Sequence, residues 1–564
     1  MTKRTCCQAV VLVCAIALLW VGQPVVLAQV TTGGIVGTVS DPSGSRIPGV
    51  SVTVTQIETS TPTTSATDAS GNYAFTALKI GNYSVTFQKD GFQRYVQNNV
   101  DLGIGQVARL DVALKVGSVS QTVEVTGAPP LLQAETSSLG TVETEKRIVD
   151  LPLNGRNFFK LAYLGPGSNE GATGTSAGAG STDNNRPGIA LSVNGLRIFD
   201  NNFLLDGLDN NEFGNGTVVI QPPPDSIQEF RVEENSMNAE FGRGGAMVNI
   251  VLRSGTNELH GSAWEFLRNN KLDARNYFAT SQLGFQRNQF GGQLGGPIVK
   301  DKMFIFGSIQ RSTIREEQPF ISTVPTALMR TGDLSELGIP IYDPLTTNPN
   351  NNKARTLLNP ANPDVIPTTG CPGPSCRISS VGQNIVNLFP LPNIVGAGLT
   401  NNFIFNGKNK FDETAFETRF DYNISPKDRL FAHYAIATPL ATNPSFFPKV
   451  TGGPGSGTSS ILDNRVQSAA ADWTHIFNPS LLNDLRGGFM RFRDNTLPLD
   501  FGSNAGNTAG IPNANHGGNS SGLTKIQISN FQALGDSLWV PETIVENVYQ
   551  LADTLSWTRG KHSL

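Results

Sequence analysis

Apolar and polar residues alternate with period two over long stretches of this chain. Val50, Val52 and Val54 fall on one side of an extended segment, and Ser51, Thr53 and Thr55 fall on the other. Tyr83, Val85 and Phe87 repeat the pattern against Ser84, Thr86 and Gln88. Turn signals recur at Asp41-Pro-Ser-Gly44, Asp68-Ala-Ser-Gly-Asn72, Gly81-Asn82 and Asp90-Gly91. Short alternating strands with a turn every 8–12 residues or so predict a small β-sandwich over 31–117. Asp68, Ser70 and Asn72 read as a plain turn, because the calcium-loop pattern lacks its Gly and its distal Glu.

The alternation returns after residue 256 in longer strands. They are placed near 258–268, 286–297, 302–312, 413–424, 428–438, 466–477, 481–493 and 545–558, with a ninth starting at Lys561. In the fourth, Thr414, Phe416, Thr418, Phe420, Tyr422 and Ile424 share one face, while Glu413, Glu417, Arg419, Asp421 and Asn423 share the other. In the eighth, Tyr549, Leu551, Leu555 and Trp557 share a face that Asp553 interrupts. The third and seventh alternate poorly.

Connections between these strands are alternately short and long. Short turns sit at Pro297–Lys302, Asn423–Asp428, Phe477–Ser480 and Thr558–Lys561, and long loops span 269–285, 313–412, 439–465 and 494–544. An antiparallel transmembrane β-barrel has this layout, with short turns on the periplasmic side and long loops outside. Strands of ~9–11 residues suffice to cross a bilayer. A charge on the lipid face costs ~2–4 kcal/mol at mid-depth, which accounts for the sorting in the fourth strand. Eight strands and part of a ninth do not close an even-stranded barrel, and plugged transporters use about 22. The expectation is therefore an incomplete barrel, the N-terminal part of a longer one.

The chain opens with an export signal over 1–28. Lys3 and Arg4 precede an apolar run from Ala9 to Trp20, and Val26-Leu27-Ala28 offers a cleavage site between Ala28 and Gln29. Of the 5 cysteines, Cys6, Cys7 and Cys14 leave with that signal. Cys371 and Cys376 remain, close together in the longest loop, and an oxidising compartment makes them a disulfide candidate. Charged residues make up 16% of the chain, below the ~25% of soluble domains. A net charge of −4 provides no basic footprint for nucleic acid.

Several stretches resemble known families. Gly37-Thr-Val-Ser-Asp41, Ile47-Pro-Gly-Val50, Asp68 through Phe75 and Gly81-Asn-Tyr-Ser-Val85 resemble a carboxypeptidase regulatory-like domain. That resemblance implies a transthyretin-like, carbohydrate-binding-like sandwich over 29–118 and no catalysis. Residues 129–255 resemble the plug domain of TonB-dependent outer-membrane receptors, an α/β unit. The resemblance rests on Leu151-Pro-Leu-Asn-Gly-Arg156, Val193-Asn-Gly-Leu-Arg197, Leu204-Leu-Asp-Gly207 and Ile227 through Val251. Phe241, Leu252 and Arg253 depart from the common pattern toward the Oar-like branch. Gly242–Gly245 reads as backbone passing through a crowded space.

Between sandwich and plug, residues 119–128 contain Gln121-Thr-Val-Glu-Val-Thr-Gly-Ala128. Thr122, Val123, Glu124, Val125 and Thr126 resemble a TonB box, a strand donated to the sheet edge of a partner. They read equally as the last strand of the sandwich.

The expectation is a mainly β outer-membrane receptor: sandwich, box, plug, then barrel over 256–564. Its partners would be TonB with the inner-membrane energising complex, outer-membrane lipid, and an external solute such as a glycan or peptide. A surface adhesion protein is the alternative. Enzymatic activity is not expected, since His260, His433, His475, His516 and His562 are scattered and form no HExxH. No metal, haem or nucleotide signature implies a cofactor.

Overall fold

The computed structural model describes residues 32–120, 122–125, 139–170, 191–214, 216–234, 245–275, 277, 282–343, 346–351, 355–367, 378–452, 459–478, 480–559 and 562–563. Two sheets form the N-terminal sandwich. In one, β1 (Thr32–Ser40) pairs antiparallel with β4 (Asn72–Lys79) and parallel with β7 (Val107–Arg109) and β8 (Val112–Ala113). The other runs β3 (Thr61–Ala66), β2 (Ser51–Gln56), β5 (Gly81–Gln88), β6 (Arg94–Leu102), β9 (Thr122–Val125). The alternation closes as its period requires: Val50, Val52, Val54, Tyr83, Val85 and Phe87 lie in one core with Ile35 and Phe75. Asp68 Oδ1 accepts from the N–H groups of Ser70 and Asn72, each at 2.8 Å, so this side chain closes its own turn.

The plug sheet has the order β10 (Leu139–Thr144), β17 (Ile227–Glu234), β18 (Ala246–Leu252), β13 (Asn202–Leu205), β14 (Leu208–Asp209). Two small hairpins accompany it, β11 (Ser168–Glu170) with β12 (Leu191–Val193) and β15 (Asn211–Glu212) with β16 (Thr217–Val218). A helix at Glu145–Asp150 and a 3-10 turn at Phe158–Leu164 cover it. Phe158 stacks on Phe159 with centroids 4.2 Å apart and meets Phe230 edge-on.

The wall is an antiparallel meander: β19 (His260–Asn269), β20 (Phe285–Val299), β21 (Met303–Ser322), β22 (Phe403–Asn423), β23 (Asp428–Ala437), β26 (Arg465–Asn478), β27 (Leu481–Pro498), β28 (Glu542–Arg559), β29 (His562–Ser563). β24 (Leu440–Asn443) and β25 (Ser460–Asp463) run on from β23 and β26 and pair with β22, each other and β27.

Strands β20, β21, β22, β26, β27 and β28 exceed their expected lengths, while β19 and β23 do not. β21 has 20 residues and β22 has 21, so the loop expected over 313–412 shrinks to 323–402. Arg315 meets Asp412 at 2.8 Å across this extension. A paired hairpin thus continues where the sequence reads as loop. Long loops still occupy one end, where Val324, Phe389, Phe403, Phe447, Leu523 and Leu534 pack into a core of their own.

Side-chain sorting in β22 follows the expectation: Glu417 is 1% and Arg419 4% exposed, against 38% for Phe416. Poor alternation elsewhere has a cause that the sequence hides. The inward face of the wall packs on the plug, so Met490 and Phe492 of β27 share one core with Phe158, Phe203 and Phe230. Phe304 and Phe306 of β21 also point inward and are buried. Asp553 lies on the outer side of β28 and accepts from the Asn483 amide of the neighbouring strand.

Candidate functional site: the plug lock and the box-like strand

The plug is fixed to the wall through Asp206, in the turn between β13 and β14. Asp206 and Gly207 both take positive φ, 48° and 79°. A short polar side chain and Gly tolerate that conformation. The turn aims the Asp206 carboxylate at β22 and β23. Arg419 Nη1 donates to Oδ1 at 2.8 Å, and His433 Nδ1 lies 2.7 Å from Oδ2. The Leu252 N–H of the plug also donates to Oδ1, at 3.1 Å. Arg419 and His433 stand directly opposite each other in the wall.

The network continues to the sandwich. Arg419 Nε lies 3.2 Å from Asp421 Oδ2, and Lys79 Nζ reaches Asp421 Oδ1 at 2.6 Å. Ser254, just beyond the last plug strand, accepts from Lys79 at 3.0 Å and donates to Asp421 at 2.7 Å. Burial pushes the Asp206 carboxyl up, but Arg419 and His433 outweigh it and hold the group below the usual carboxylate range. Burial lowers Lys79, and Asp421 opposes that shift. Alternating charges let buried groups remain ionised that singly would be very costly.

A second tie joins plug and wall. Arg156, the last residue of the Leu151–Arg156 stretch, pairs with Asp225 and lies over the Phe266 ring, 4.2 Å from its centroid.

The sandwich docks on the short-turn end of the wall and on the plug. Asn257 N–H donates to Glu58 O at 3.0 Å, Asn423 to Thr61 Oγ1 at 2.9 Å, and Arg429 to Thr63 Oγ1 at 2.6 Å. On the plug side, Arg231 donates to Ile104 O at 2.6 Å, and Glu229 accepts from the Ile104 N–H. Ile80, Ile104 and Val251 form a small apolar contact there. Burial pushes Glu229 up to about 7.

Thr122, Val123, Glu124 and Val125 form β9, a parallel edge strand in register with Arg94, Tyr95, Val96 and Gln97. Asn98 Nδ2 donates to Glu124 Oε1 at 2.7 Å, and Gln97 Nε2 reaches Val125 O at 3.4 Å. Thr122 and Glu124 are exposed. Thr126, the Ala28–Gln29 cleavage site, and Cys371 with Cys376 lie outside the described residues.

Asp206 and His433 as partners were missed in the sequence. The signal was there: an inward Arg419 with an inward His433 opposite it on the neighbouring strand calls for an acceptor from inside. Among the described residues, no group of three or more His, Cys, Asp or Glu is placed to hold a metal.

Comparison with known proteins places this architecture. Residues 251–564 match the outer membrane beta barrel domain, and residues 34–115 match the carboxypeptidase regulatory-like domain. The TonB-dependent transporter Oar of Myxococcus xanthus is 31% identical over 300 residues, which is 50% of this chain and 27% of that protein. Among solved structures, the outer membrane transporter YddB of Escherichia coli matches with TM-score 0.43 and 12% identity, over 74% of this chain and 45% of that one. The ferric enterobactin receptor PfeA of Pseudomonas aeruginosa matches with TM-score 0.36 and 11% identity, over 64% of this chain and 41% of that one. The chain thus spans about a quarter of the curated relative's length. The family match covers more than half of the sequence: the chain belongs to the outer membrane β-barrel domain family, with a carboxypeptidase regulatory-like domain in front of the barrel.

Proposed function

We propose that this protein is a TonB-dependent outer-membrane transporter that takes up a large or scarce solute. Residues 121–128 would be the segment that TonB grips, and the plug would be the part that moves. The observation that supports this best is the lock at Asp206, an ion pair with Arg419 and a hydrogen bond with His433, buried between plug and wall. Breaking a buried pair costs ~3–5 kcal/mol, about two to four decades in population. A plug held this way stays seated unless work is done on it, which is what coupling to an energised inner-membrane complex would provide. The curated relative is named a TonB-dependent transporter, and transporters of this kind do no covalent chemistry on their cargo.

The solute would be a glycan or a peptide, met first by the external loops. Beside their core lies an open recess of about 430 Å³, lined by Asn384, Asn387, Leu388, Asn504, Ala505 and Thr508.

Fluorescent oligosaccharide and peptide pools offered to cells carrying the intact receptor test the reading. Receptor-dependent accumulation should disappear when residues 121–128 are deleted, while surface binding persists. Accumulation unchanged by the deletion would sink it. Adhesion without import is the second reading, favoured by the preformed loop core. It predicts binding that survives the deletion and no accumulation in either protein.

A further inference from the structure

We infer that the sandwich and the plug are energetically coupled through Lys79, so that undocking the sandwich loosens the plug. Lys79 lies at the end of β4, in the sandwich, yet its half-buried side chain reaches Asp421 of the wall at 2.6 Å. Asp421 is the junction of the network. It receives Lys79 from the sandwich, Ser254 from the plug's last connection, and Arg419 from its own strand. Arg419 in turn divides its donors between Asp421 and the plug's Asp206.

The division is the coupling device. With Lys79 in place, part of the charge on Asp421 is neutralised from the sandwich side. The Arg419 guanidinium then keeps Nη1 on Asp206 at 2.8 Å, closer than its 3.2 and 3.4 Å contacts to Asp421. When Lys79 leaves, Asp421 has Arg419 as its remaining cation and draws the guanidinium toward itself, away from Asp206. Coupling of this kind is reciprocal: a displaced plug also weakens the seat of the sandwich. Lys79 is thus a positioning residue that acts on the plug through Asp421 and Arg419.

The other sandwich contacts are separate from this chain of charges. Thr61 and Thr63 accept from Asn423 and Arg429 without touching Asp421 or Asp206. Together with the contacts at Glu58 and Ile104 they hold the sandwich apart from Lys79, and removing them weakens docking without touching the lock. The inference concerns the resting protein and needs neither TonB nor solute. Its failure would leave the transport reading standing, and the reverse holds too.

Amide hydrogen exchange on the intact receptor in detergent tests it. In Lys79→Met, exchange at Asp206 and Leu252 should accelerate about tenfold, within the 5–150-fold range of roughly typical couplings. Their N–H groups donate to Ile250 O and Asp206 Oδ1, so they report the seat of the lock. Strands β2 and β5 should exchange as before, showing an intact sandwich. Lys79→Arg should restore slow exchange at both positions. If Lys79→Met does not accumulate, the double variant Thr61→Ala with Thr63→Ala should give the same acceleration. Unchanged exchange at Asp206 and Leu252 in Lys79→Met, or in a variant whose sandwich has undocked, would overturn the coupling.

Discussion

Arg419 of the barrel wall and Asp206 of the plug meet at 2.8 Å, with side chains 5% and 0% exposed. Water reaches neither, so each depends on the other and on the neighbours they share. Arg419→Met should cost ~3–5 kcal/mol, because Asp206 is left with His433 as its one remaining side-chain partner. Asp206→Asn should cost a similar amount. The double variant should lose less than the sum, because each single change strands a charge that the double removes. Urea titrations of the intact receptor, followed by protease cleavage within the plug, measure all three.

Glu229 gives sandwich docking a pH dependence. Burial against the sandwich turn at Ile104 pushes its carboxyl up to about 7. An acid whose pKa rises on docking favours the docked state when protonated. Docking should therefore be tightest below about pH 4.5, the usual range of a free Glu, and should weaken as pH climbs through about 7. Exchange protection at Ile104 measured from pH 5 to pH 8 should fall across that window after correction for intrinsic rates. Glu229→Gln should flatten the dependence. A flat profile in the unaltered protein would show that Glu229 is not the group responsible.

Gly255 carries the chain from the plug into the wall. A Cβ there would stand 2.5 Å from Ile305 O and 2.6 Å from Gly296 O, both backbone atoms of paired strands. Neither can move without breaking the ladder between β20 and β21. Gly255→Ala should therefore destabilise the wall by ~1–3 kcal/mol, the usual cost of overpacking. Thermal unfolding of the purified receptor measures it, and an unchanged midpoint would contradict the tight passage.

The sequence was most legible where period two meets a single environment. In β22 the outward Phe416 and the inward Glu417, Arg419 and Asp421 face lipid and lumen as their chemistry demands. It was least legible where the lumen is not wet. Met490 and Phe492 pack inward against the plug and Phe304 and Phe306 are buried in the wall, so their strands carry apolar residues on both faces and the alternation blurs. The lock was hidden for a different reason. Asp206 is separated from Arg419 and His433 by more than two hundred residues, and only the fold brings them together. The loop core around Phe389, Phe403 and Phe447 was obscured by the Asn, Gly and Pro residues between its members.

The box-like segment carries the central claim. In the resting structure Thr122–Val125 is held on β6 by a parallel ladder and by the Asn98–Glu124 hydrogen bond, and no strand among the described residues pairs with its other edge. Such a strand can be gripped by a partner's sheet edge. Single cysteines placed in turn at Thr122, Val123, Glu124, Val125 and Thr126 of the intact receptor should form disulfides in energised cells with cysteines placed along a sheet edge of TonB. The yields should alternate along the segment, as side chains on a paired strand do, and Val125→Pro should abolish them. Absence of cross-links at all five positions, with both proteins present and folded, would contradict the account.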